Sequence, residues 1–264
     1  MANELAAQGQ APEDDLILAR EASAFYLKLS ESLLREVPEN DRLSEAVAAG
    51  FTQYAYAFVS FDADRVESVN VRAAEHLRER AARLYWRARQ HAMAALEKAQ
   101  PGFTAALEKN QPSEWPTVRA SQVGLAYWAS ASWGAYIALH KDSPEIVADL
   151  PLAIRLAQLA YATNPDFGEG ALAGLMGNFE SARAGGSAEQ AVQYFDRAIT
   201  LGAEHSAAPL VAKAEAVALP AGHRDEFEQL LRKSLAISAA NPNLQNAVMR
   251  ERAQWLLDQA DELF

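Results

Sequence analysis

The residues of this 264-residue chain best able to hold a metal or move a proton are five histidines, His76, His91, His140, His205 and His223. No two stand three or four positions apart, so no helical turn presents a metal-binding pair. They read as surface residues, and no metal site is expected. The stretch GEGALAGLMG, residues 168–177, is glycine-rich. Its spacing is G-x-G-x-x-x-G and no strand precedes it, whereas a dinucleotide loop needs both the tighter spacing and the strand. Close helix packing is the simpler reading. In FDADRVE the aspartates Asp62 and Asp64 lack the longer ligand set and central glycine of a calcium loop, so this run is expected to end a helix. Asp14 and Asp15 suit a helix N-terminus. There is no G-x-S-x-G, H-E-x-x-H or Walker motif, and no cysteine to act as a thiol nucleophile or thiolate ligand. No nucleophile–base pair can be assembled, so neither an enzyme nor a cofactor is expected.

Two aromatic stretches remain. GFTQYAYAFV places Phe51, Tyr54 and Phe58 at helical spacing, with Gln53 among them. YWASASWGAYIAL places Tyr127, Trp128, Trp133 and Tyr136 among alanine, serine and glycine. Each stretch is either a tightly packed core or the wall of something hollow. A buried amide or hydroxyl without a partner costs about 1–3 kcal/mol, and a cavity holding water or ligand would supply partners. On a helix Gln53 points about 100° away from Tyr54, so the full set cannot share one wall.

The elements that would position these residues are helices. Apolar residues recur at steps of three and four, and no run alternates strictly, so the chain reads as all-α. Leu18, Ala22, Phe25, Leu29 and Leu33 line a first helix that Pro38 ends. Further helices are expected over 42–61 and 71–98, followed by Pro101-Gly102 and a loop at NQPSEWPTV. Residues 120–139 carry no charge and approach the length of a membrane span. Ser121, Gln122, Ser130 and Ser132 dilute the run, which favours a buried helix. Ser143 is placed to cap the next helix and Pro144 to start it, with Pro151 bending it early.

From 144 onwards a repeat appears. Ala153, Ala191 and Phe227 begin windows of alternating small and large residues, 38 and 36 residues apart. That pattern suits the second helix of degenerate tetratricopeptide-like pairs, with Gly185-Gly186 and Ser187 making one inter-helix turn. A helix over 243–264 is expected to cap the array. The chain is read as a single helical domain, 1–264: a flexible start at 1–13, an irregular half at 14–140 and a repeat half at 144–264.

Composition narrows the function. The formal net charge is −11, which repels phosphate backbones and anionic lipid, so nucleic-acid partners are not expected. The first fifteen residues have neither a basic nor an apolar region and do not form an export signal.

The two aromatic stretches, the Arg-rich helix between them, AEAVALP and the terminal RAQWLLDQADELF together resemble the T-component family of tripartite ATP-independent periplasmic (TRAP) transporters, over about 3–264. The resemblance implies an all-helical, tetratricopeptide-like homotrimer with a largely hydrophobic pore through each protomer and no enzymatic activity. It implies a periplasmic lipoprotein that pairs with the solute-binding P subunit and handles a hydrophobic or organic-acid ligand, including lipid. Such proteins carry an export signal and a lipidated cysteine ahead of the domain. This chain shows neither and is read as a trimmed form. On that reading Phe51, Gln53, Tyr54, Phe58, Tyr127, Trp128, Trp133 and Tyr136 line the pore. The competing reading is a repeat scaffold that binds a protein in its groove and holds no small molecule.

Overall fold

The computed structural model describes residues 15–264; the readings made for 1–13 and for Asp14 lie outside them. Among the described residues the fold is all-α, with no strand. The chain divides into two compact units, residues 20–164 and residues 165–264 together with 15–19. The seam read from sequence at 140–144 lies inside the first unit.

Helix α1, Leu16–Glu36, begins where the Asp15 carboxylate accepts from the amides of Ile17 and Leu18, both at 3.0 Å. Asn40 accepts from Leu43 N at 2.9 Å and starts α2, Asp41–Ala55. The helix then widens into a π-turn over Tyr56–Ser60 before continuing as α3, Phe61–Val66. Wide turns of this kind shift the register of the side chains that follow. The Arg20 guanidinium donates to the Phe58 carbonyl at 3.0 Å and pairs with Asp62. FDADRVE thus belongs to the end of this long helix. Asn70 caps α4, Val71–Ala99, through Ala73 N at 3.0 Å. Glu97 then accepts from Gly102 N and Thr104 N, at 2.6 and 2.8 Å, and so caps α5, Phe103–Leu107.

The uncharged run forms α6, Val123–Ala138, whose Val123, Leu125, Ala126, Ala129, Trp133 and Ile137 are buried. It packs on α4, on α2 and on α8, Leu150–Thr163. Ser130 Oγ donates to the Ala153 carbonyl of α8 at 2.6 Å, a bond that requires the two backbones to lie close. Helix α7, Pro144–Val147, is a single short turn. Ser143 occupies its cap position without a side-chain bond, and Pro151 sits in the first turn of α8, so the break precedes it. The segment 144–163 is long and apolar enough by length and composition to cross a membrane. It also carries Arg155, which bonds the carbonyls of Leu107 and Lys109 and lies 4.3 Å from the Trp115 ring.

In the second unit, α9 (Ala171–Ala182) packs on α10 (Ala188–Gly202), and α11 (Ala208–Lys213, extended by a π-turn to Ala218) packs on α12 (Arg224–Ala240). Helix α12 in turn packs on α13, Leu244–Asp258, and α14, Ala260–Leu263, closes the chain. The glycines of GEGALAGLMG let α10 approach α9. A Cβ on Gly170 would stand 2.6 Å from the Ala198 carbonyl oxygen, and one on Gly177 would stand 3.0 Å from the Phe195 ring. At the end, Phe264 meets Phe227 edge-on at 5.3 Å.

Candidate functional site

The first unit carries a concentration of rings and guanidinium groups where α1, α2, α4 and α6 meet. Its base is Glu31, which is 3% exposed. Arg87 of α4 grips both carboxylate oxygens, Lys28 donates at 2.8 Å, and His91 Nε2 lies 2.9 Å from Oε1. Burial alone would raise the Glu31 carboxyl, but the bonds from Arg87, Lys28 and His91 outweigh it and hold the pKa at about 2. Phe51 of α2 lies beneath the cluster, 5.0 Å from the Arg87 guanidinium and stacked with His91 at 6.1 Å. This assembly ties α1, α2 and α4 together.

On the far side of Arg87 a concave groove of about 530 Å³ opens between α4 and α6. Glu79, Ala82, Arg83, Trp86, Arg87, Gln90, Tyr136 and His140 line it. Trp86 and Tyr136 stand 5.0 Å apart, and Tyr136 lies 4.4 Å from His140, so a ladder of rings forms one wall. The His140 ring Nδ1 is 2.8 Å from the Tyr136 carbonyl, which sets its orientation. Both guanidinium groups of the lining are matched by carboxylates: Arg83 lies 4.0 Å from Glu79, which shares the groove, and Arg87 is held by Glu31.

Behind the Trp86 wall lies half-buried Arg89. Its guanidinium is 4.6 Å from the Trp86 ring and 3.8 Å from the Trp133 ring. Among the described residues it makes no hydrogen bond and no ion pair, and its buried Nε has no partner. Desolvation pulls its pKa below the usual arginine value, while Asp149, Tyr136 and Glu108 act on it only through space. The buried indole N–H of Trp133 also lacks a partner.

The eight residues singled out from sequence do not form one wall. Phe51, Tyr54, Phe58 and Trp133 are 2–8% exposed and packed against neighbours. Tyr54 and Phe58 meet edge-on at 5.5 Å, with Arg80 over Tyr54 at 5.8 Å and Arg20 over Phe58 at 5.4 Å. Gln53 is exposed on the opposite face of α2. Tyr127 and Trp128 are half-buried and edge-on at 4.7 Å, and desolvation pushes the Tyr127 hydroxyl up to about 12. Of the eight, Tyr136 lines the groove. Sequence reasoning passed over Trp86, Arg83, Arg87 and Arg89. The signal available was YWRAR: Trp86 and Arg89 stand three apart, one helical turn, within an otherwise ordinary basic helix.

A second concavity, about 410 Å³, lies in the second unit among Arg224, Glu228, Arg232, Asp258 and Asp261. Its charges neutralise one another: Arg224 bonds Glu228 at 2.9 Å and Asp261 at 2.5 Å, and Arg232 bonds Glu228 at 2.8 Å. Among the described residues no group of three His, Asp or Glu side chains is placed to hold a metal. One further surface stands out. Leu18, Phe25 and Leu29 of α1 are 41–65% exposed, with Tyr26 beside them at 42%.

The fold and these surfaces define the broad class: an all-helical chain whose developed features are a ring-lined concave surface and an uncovered apolar helix face. Comparison with known proteins narrows it. Residues 12–264 match the family described as TRAP transporter T-component. A protein of Treponema pallidum (strain Nichols), described as uncharacterized, is 28% identical over 262 residues, covering 96% of this chain and 81% of the relative. The chain belongs to the TRAP transporter T-component family. It is therefore an accessory component of a TRAP transporter, a periplasmic or membrane-associated part of that system, and its family is not a known enzyme family.

Proposed function

We propose that the chain is the periplasmic accessory subunit that engages the solute-binding P subunit and shelters an apolar ligand in the groove between α4 and α6. The carrying observation is that groove. Its volume, about 530 Å³, falls within the range of ligand sites, and its mixture of rings with a few charged groups is what such sites use. In this reading Trp86 and Tyr136 hold the ligand body. Phe51, Phe58 and Trp133 serve as packing that keeps α2, α4 and α6 in place, not as the wall of a tunnel.

Self-association into a homotrimer is part of the proposal. Its support is the uncovered stripe of Phe25 and Leu29 on α1, since contiguous exposed apolar surface marks association sites. The helix pairs of the second unit are read as tetratricopeptide-like and offered to the partner. In the full-length protein a lipid anchor ahead of this region would hold the assembly at the membrane.

The scaffold reading, without a small molecule, draws support from the packed state of Phe51, Phe58 and Trp133. Light scattering and pull-down with the P subunit of the same transporter, on wild type and on Phe25→Glu/Leu29→Glu, test the assembly. The expected result is a trimer that captures the P subunit, dissociated by the double substitution. A wild-type protein that stays monomeric and captures no P subunit would overturn it.

A further inference from the structure

A wall of rings holds an apolar body only while the rings keep one orientation, because affinity falls with the fraction of time the wall spends in its binding arrangement. Trp86, the largest ring in the groove, is half-buried on α4. Its side-chain torsions have several staggered positions open to them, so a neighbour must select one. Tyr136 stands 5.0 Å away, but it lines the same groove and is itself half-buried. Arg89 is the neighbour outside the groove. It follows Trp86 by three residues, which brings both side chains to one side of α4. Its guanidinium carbon lies 4.6 Å from the centre of the Trp86 ring and 3.8 Å from that of Trp133. Trp133 is 2% exposed on α6 and is fixed by the core. Among the described residues Arg89 makes no hydrogen bond and no ion pair that would hold it elsewhere. The two indoles are what set the guanidinium in place.

We infer that Arg89 is a positioning residue for the groove: it links the fixed ring of Trp133 to Trp86 and holds Trp86 in the wall, without touching the ligand. This rests on the reading of the groove as a ligand site and adds the residue that keeps its wall in shape. A guanidinium suits the task, because it is planar, stacks on ring faces and is drawn to them by its charge. An unbranched neutral side chain of similar length keeps the volume and loses that attraction. The consequence falls on the apolar body of the ligand, whatever its head group. A Trp86 released among its staggered positions would keep the binding arrangement about a third of the time, so affinity should fall about threefold.

The test compares wild type, Arg89→Met and Arg89→Lys at a temperature where circular dichroism shows each fully folded. Each is titrated with octanoate and with 1-octanol, which share an apolar body and differ in head group. Each is also labelled with 5-fluorotryptophan, and the Trp86 fluorine resonance is assigned from a Trp86→Phe sample. The expected result is that wild type binds both probes and shows one sharp Trp86 resonance. Arg89→Met should weaken both probes by about threefold, to the same extent, and should split or broaden the Trp86 resonance. Arg89→Lys keeps the charge without the plane and should fall between the two; it decides the matter should Arg89→Met not fold. Affinities equal to wild type in the folded variants would mark the stack as structural only and overturn the inference, with the groove reading left standing. A loss confined to octanoate would mean that Arg89 reads the head group and would also overturn it. So would a Trp86 resonance that stays single and sharp in the variants. Binding of neither probe by wild type would remove the groove reading, and the inference with it.

Discussion

Replacing Glu31 with glutamine removes one charge and keeps the shape. The wild-type carboxyl titrates at about 2 against an ordinary 4.5, a drop that corresponds to about 3 kcal/mol of preference for the charged form in the folded chain. Arg87 and Lys28 keep 40% and 59% of their side chains in water, so solvent screens the pairs, and Arg87 can turn outward once its partner is lost. A loss of about 1–3 kcal/mol at pH 7 is therefore expected. The sign follows from the direction of the shift. The folded pKa is depressed, so the stabilisation is complete above 4.5 and drains away as the pH falls towards 2. Urea denaturation of wild type and Glu31→Gln at pH 7, 4 and 3, followed by circular dichroism, measures the gap. It should be constant down to about pH 5 and less than half as large at pH 3. Equal gaps at pH 7 and pH 3, or no gap at pH 7, would refute the claim that a charged carboxylate holds α1 to α4.

Glu45 should behave in the opposite sense. Desolvation raises its pKa, with Arg42 acting the other way, so the cost of the charged form is absent at low pH and complete above the folded pKa. Glu45→Gln should raise the melting temperature at pH 7 and leave it unchanged near pH 4, as calorimetry would show. Gly170→Ala should destabilise the second unit by about 1–3 kcal/mol, because φ is +98° and a Cβ would meet the Ala198 backbone at 2.6 Å; thermal melts of that variant check it. Phe58→Ala should cost about 3–5 kcal/mol, since the ring is 6% exposed. It should leave octanoate affinity within threefold of wild type, and a large affinity loss with little destabilisation would return Phe58 to the ligand wall.

Helix positions were legible in the sequence where local chemistry marks them. The cap at Ser187, the stop at Pro38 and the three-and-four spacing through α1 and α4 are short-range signals. The burial of α6 followed from an absence of charge over 123–138. The π-turn at 56–60 was not legible, because no residue type demands one and the Arg20 bond to its carbonyl comes from 38 positions away. The same distance effect hid the candidate site. Glu31 and Arg87 are 56 residues apart, and the Trp133 face that meets Arg89 comes from another helix. The aromatic stretches drew attention because rings are conspicuous in a sequence. The groove instead uses Trp86, whose neighbours look like an ordinary solvated basic helix. Which rings line space and which fill it is decided by tertiary packing, and periodicity alone carries no record of it.

The most direct measurement is native mass spectrometry of the chain purified from periplasm, beside its Trp86→Ala variant, with each protein also weighed after denaturation. The account predicts a non-covalent small-molecule adduct on the wild type and its loss from a Trp86→Ala protein that remains folded. An adduct retained in full by Trp86→Ala, or none on the wild type even after incubation with octanoate, would contradict it.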